Sequence, residues 1–100
     1  MFDRDKYITR GVAQTIPPEV QFLLWGLIEQ ARSRTTLDHL QIFKLKPVTV
    51  ENVLLQQVVH EQEQPPYSNT VTFPCSSPVT SKVWAIDDVE HSTMLLPSEY

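Results

Sequence analysis

The chain has 100 residues, the size of one domain with room for one modest core. Eight prolines against two glycines describe a fold punctuated by fixed loops, and a hydrophobic content of 41% is ordinary for a folded protein. A formal charge of −4 argues against holding duplex nucleic acid through phosphate neutralisation, and a single cysteine, Cys75, excludes an intrachain disulfide.

In chain order, residues 1–6 read as a flexible arm, charged and without a signal-type apolar core behind it. Residues 7–12, Tyr7-Ile8-Thr9-Arg10-Gly11-Val12, mix aromatic, β-branched and polar side chains in near alternation and predict a short strand. Gly11 weakens it, or marks a bulge or a close backbone approach within it. Residues 17–32 carry the clearest pattern. Val20, Leu23, Leu24, Leu27, Ile28 and Ala31 recur at the spacing of one apolar stripe on a 3.6-residue helix. Ile16 and Pro17 each precede a proline and so disfavour α geometry, whereas Pro18 suits the first helical position. Glu19 in the first turn, and Arg32 and Arg34 at the other end, carry the charges that the helix dipole favours.

Beyond the turn at Thr35-Thr36, residues 37–46 predict a strand with a change of face, a bulge, near Ile42-Phe43. Lys46-Pro47 and Glu51-Asn52 bracket a connection. Residues 53–61 read as a strand, with a short helix over 54–59 as the competing reading. Pro65-Pro66 closes a loop, because consecutive prolines cannot donate to a ladder. Residues 69–73 alternate as a strand, and residues 74–78 break it. Residues 82–87 and 92–96 predict a hairpin joined by the acidic tip Asp88-Val89-Glu90-His91. The sum is one α+β domain over residues 1–100, with one amphipathic helix packed on an antiparallel sheet of five to six short strands.

Catalytic chemistry finds little purchase. A nucleophile needs a base within hydrogen-bond reach, but Cys75 lies in a Pro/Ser loop without flanking glycines or a following helix, so pairing with His60 or His91 has no motif behind it. His39, His60 and His91 with Asp87, Asp88 and Glu90 are the right atom types for a metal, yet no pair has ligand spacing. The tip Asp87, Asp88, Glu90 and His91 reads as a solvated acidic turn and a secondary contact surface. No catalytic residue, metal or cofactor is expected, and the chain is not read as an enzyme. The outer face of the helix is more informative. With Leu24 at the centre of the buried stripe, Trp25 lies about 100° away and Phe22 about 160° away. Gly26 follows Phe22 by one turn. Phe22, Trp25 and Gly26 form either an interface, with a partner helix or a two-fold copy, or a face that other parts of the chain cover.

Three stretches also carry a resemblance: Tyr7–Val12 followed by Ile16-Pro17-Pro18-Glu19; Leu37-Asp38-His39-Leu40-Gln41-Ile42-Phe43; and Ala85-Ile86-Asp87-Asp88 through His91–Leu96. In this order they resemble domain-of-unknown-function family number 960, small uncharacterised proteins of low-GC Gram-positive bacteria and their mobile elements. The resemblance implies a bacterial cytosolic setting and assigns no activity. No apolar run reaches the roughly 18 residues of a membrane span, so a cytoplasmic protein without membrane partners is expected. The functional reading is a non-catalytic protein–protein interaction module, with a homodimer as one arrangement. One alternative is single-stranded nucleic-acid binding on an open sheet face by Tyr7, Arg10, Lys44, Lys46, Lys82 and Trp84. A further alternative is an acidic protein occupying a basic surface on a host protein through Asp87, Asp88, Glu90 and Glu61.

Overall fold

The computed structural model describes residues 1–88 and 90–100. Among them lie β1 (Asp5–Ile8), α1 (Arg10–Thr15), α2 (Pro18–Arg32), β2 (Leu40–Val50), β3 (Val53–Gln62), β4 (Tyr67–Pro74), β5 (Ser81–Asp87) and β6 (His91–Leu95), with a 3-10 turn at Pro97–Glu99. The strands form one sheet in the order β1-β6-β5-β2-β3-β4. The α+β architecture is as expected, but the sheet is mixed. β1 runs parallel to β6, in register from Asp5 with His91 to Ile8 with Met94, while the other neighbours are antiparallel. A parallel pair needs a long connection, and the rest of the chain supplies it.

The alternation of the strands decides which face the helices cover. Gln41, Phe43 and Leu45 on β2, Val58 and His60 on β3, Val83 and Ala85 on β5, and Met94 on β6 are buried on one face. Against them lie Val12, Ile16, Val20, Leu24, Leu27, Ile28 and Ala31 from the two helices. The N-terminal residues expected as an arm are docked on this layer instead. Phe2 is buried in the core, its N–H donates to Asp87 Oδ1 (3.0 Å), and Arg32 Nη2 donates to the Met1 carbonyl (2.6 Å).

The strand expected over 7–12 is half strand and half helix. Thr9 caps α1, its Oγ1 accepting from the Val12 N–H at 3.3 Å. The Glu99 carboxylate, from the far end of the chain, accepts from Thr9 Oγ1 and from the N–H groups of Gly11 (3.0 Å) and Leu96 (2.8 Å). Those bonds, the Thr9 hydroxyl first, hold its carboxyl below the usual range. The close approach expected at Gly11 is this one: a Cβ there would stand 2.7 Å from the Glu99 carboxylate.

β2 also differs from expectation. It runs through Pro47 to a two-residue turn at Glu51-Asn52, whose φ values of 49° and 66° are those of a tight hairpin. Pro47 is tolerated because it lies past Leu45, the last residue that β2 pairs with β5, so one side of the strand needs no donor there. There is no bulge at Ile42-Phe43: the register is continuous on both sides of β2. Two adjacent apolar residues arise because Phe43 fills the core while Ile42 pairs with Trp84 on the other face. Residues 53–61 are strand, not helix. Residues 75–80 carry the chain from β4 past β3 and β2 to β5, and buried Gln56 holds that crossing. Its side chain accepts from the Val79 N–H (2.8 Å) and donates to the Val79 carbonyl (3.1 Å).

Candidate functional site

α2 presents two unlike faces. Inward, Val20, Leu24, Leu27, Ile28 and Ala31 are buried; outward, Phe22 is 81% exposed, the most open large apolar side chain in the interior of any helix or strand described. The cause is angular: the buried stripe is complete without Phe22, which the 3.6-residue period carries to the opposite side. Gly26 lies on that outward side, and a Cβ added there would meet nothing within 4 Å. Trp25 does not join them. It is half-buried against the core, and the Lys6 ammonium stands 5.9 Å from its ring centroid, a cation–π contact. The expected trio is therefore Phe22 and Gly26 outside, with Trp25 on the flank beside β1.

At the β5–β6 connection, Asp87 and Asp88 are engaged by donors of the chain itself. Asp87 Oδ1 accepts from the Phe2 N–H and from Ser92 Oγ. Asp88 Oδ1 accepts from the N–H groups of His91 and Glu90, the His91 bond first among the causes that hold its carboxyl below the usual range. His91 Nε2 lies 3.3 Å from Asp88 Oδ2, and its ring meets Tyr7 edge-on. Glu90 is exposed, and Val89 in the predicted tip lies outside the described residues. Among the described residues no three His, Cys, Asp or Glu side chains converge as a metal site.

The uncovered face of the sheet collects some of the residues named for nucleic acid. Lys44 stands directly opposite Lys82, and Trp84 lies between Ile42 and Leu95. Other contacts engage part of this set, and one member lies off the sheet. Lys44 pairs with Glu61 at 2.9 Å, Tyr100 leans on Trp84, and Arg10 sits on α1, off the sheet. A shallow apolar cleft lined by His39, Leu40, Trp84, Ile86 and Tyr100 has a volume of about 240 Å³.

His60 is the most perturbed titratable group. Burial pushes its imidazolium pKa down to about 4. The ring stacks on Phe43 and meets Tyr67 edge-on. Its Nε2 lies 2.6 Å from Gln41 Oε1; since Gln41 Nε2 already donates to the Asp38 carbonyl and to Gln62 Oε1, the histidine is the donor. Gln62 in turn donates to the carbonyls of Thr36 and Pro65. This chain of side chains satisfies the loop backbones that close over the end of the sheet. No nucleophile belongs to it, and Cys75 packs as a half-buried apolar residue after β4.

One exposed feature escaped the sequence reading. Val50, Val53 and Leu54 are each more than half exposed at the tip of the β2–β3 hairpin. The signal was the β-branched alternation that continues past Pro47 into the turn.

Comparison with known proteins finds a family and a similar fold. The model of the family described as "Staphylococcal protein of unknown function (DUF960)" matches residues 5–99. The fold is also similar to a crystal structure of a protein of unknown function from Enterococcus faecalis. That likeness has a TM-score of 0.79 and 26% sequence identity, and it covers 98% of this chain and 92% of the other. A search of curated proteins finds no match. No helix among the described residues is long and apolar enough to cross a membrane.

Proposed function

The chain belongs to the family of staphylococcal proteins of unknown function (DUF960), and from that footing we propose that it works as a small non-catalytic protein–protein interaction module whose contact surface is the outer face of α2. The observation that carries the reading is Phe22, an aromatic side chain 81% exposed on a helix whose other side already furnishes the core. An exposed aromatic buries a large apolar area on contact at a low cost in side-chain entropy, which suits it to anchor an interface. Gly26, one turn on, leaves the surface beside it low, so a partner side chain can seat against the helix backbone.

The test is capture from a bacterial lysate with the wild-type chain and a Phe22→Asp variant as baits. A protein retained by the first and lost by the second supports the reading. Identical profiles from two folded baits would overturn it.

A further inference from the structure

The two edges of the sheet are guarded differently. β1, at one edge, is four residues long and carries Asp5 and Lys6. β4, at the other, is eight residues long, Tyr67-Ser68-Asn69-Thr70-Val71-Thr72-Phe73-Pro74, without a charge or a glycine. Its register with β3 is unbroken, so no bulge twists the edge away. Outside that ladder, no backbone group of β4 has a hydrogen-bond partner among the described residues. Long, regular, uncharged edges are what soluble proteins ordinarily blunt with lysine, proline or bulges. Here the strand interior has none of these.

We propose that β4 pairs antiparallel with β4 of a second copy of this chain, about a two-fold axis at Thr70 and perpendicular to the sheet. The sequence of the strand favours that occupant and that register. Tyr67, Val71 and Phe73 lie on the core side, while Ser68, Thr70 and Thr72 are exposed on the other face. With Thr70 opposite its own copy, Tyr67 faces Phe73 of the second chain, and Ser68 faces Thr72. Aromatic pairs and hydroxyl pairs are favourable cross-strand partners, and no charge meets its like. Pro66 and Pro74, which have no N–H to donate, then stand opposite each other just outside the paired residues. A slip of two residues brings one of them inside the ladder, and a slip of one would turn the core side of one copy to solvent. Both helical layers end on the same side of one twelve-stranded sheet, and the outer face of α2 stays free. The seam is thus distinct from the α2 surface.

Thr70 supplies the test, because it is exposed in the single chain and meets itself across the seam. Sedimentation over a concentration series is expected to show the wild type at twice the mass of one chain. Thr70→Lys and Thr70→Asp, each folded by circular dichroism, are expected to fall two-fold to the mass of one chain, and an equimolar mixture of the two is expected to recover the doubled mass. A wild type that stays at one chain throughout the series would overturn the proposal. So would a dimer that survives Thr70→Lys; if that dimer instead dissolves with Phe22→Asp, the self-contact belongs to α2 and the β4 seam does not exist.

Discussion

The inward and outward faces of α2 come from the same fifteen residues and follow opposite rules. Inward, every position is decided by contact: Leu24 is fully buried between helix and sheet, and Val20, Ile28 and Ala31 are as enclosed. Outward, Gly26 has open space around it and Phe22 stands in solvent. A residue chosen by packing loses stability when changed, whereas a residue chosen by an external contact leaves stability alone and loses the contact. That difference separates what folding requires of α2 from what an external contact would require of it.

The largest effect belongs to the inward face. Leu24→Ala is expected to lower the unfolding free energy by about 2–5 kcal/mol, the range for a fully buried leucine whose cavity cannot collapse. Urea titration measures it, and a loss below about 1 kcal/mol would show that the layer under α2 is loosely filled.

Acid probes the polar part of the same layer. His60 is neutral in the folded protein because burial brings its pKa from 6.5 to about 4. Between those values the unfolded chain binds a proton that the folded chain refuses, so stability rises with pH. It is lost, by up to about 3 kcal/mol, as pH falls from 6.5 towards 4. Phe43, Tyr67, Gln41 and Asn69 face His60, and none of them offers a counter-charge. Unfolding free energies measured across that window should show the slope, and a His60→Phe variant should flatten it. A slope unchanged in the variant would assign the acid sensitivity elsewhere.

The outward face should respond in the opposite sense. Gly26→Ala is expected to raise stability by about 1 kcal/mol, the difference in helix propensity, since a methyl group there meets no atom within 4 Å. Thermal unfolding checks it. Destabilisation would mean that the notch is filled by something the isolated chain does not contain, such as a neighbouring copy in solution.

How far this contrast was legible beforehand depends on the range of the interactions behind it. The α2 stripe is local, so its period exposed both the buried set and the outward turn of Phe22. For Trp25 the alternative of cover by another part of the chain applies: Lys6 reaches it only once β1 has docked beside β6, a pairing that joins Ile8 to Met94 and leaves no local pattern. α1 was hidden for the same reason: part of its N-terminal bonding comes from Glu99. The burial of Gln41, Gln56 and Gln62 leaves no signal in the sequence, because polarity in a strand ordinarily means solvent. Here it serves loop backbones that cross the sheet. Pairing across β2–β3 was half visible, since Pro47 looked like an end and became part of a strand once one of its sides had no partner.

Phe22→Asp is the smallest expected change in stability and the most informative. The side chain is 81% exposed, so its removal forfeits little burial. Asp is a poorer helix former than most, yet near the helix N-terminus its charge meets the favourable end of the dipole, opposed by Glu19 one turn earlier. Each of these terms is a fraction of a kcal/mol on an exposed helix face, and the net loss is expected to stay below about 1 kcal/mol. Paired urea titrations of wild type and variant decide it. A loss comparable to that of Leu24→Ala would place Phe22 in the core and dissolve the contrast between the faces. An unchanged midpoint together with a lost partner would locate the contact on a residue that folding does not require, and that separation is the property an interaction surface must have.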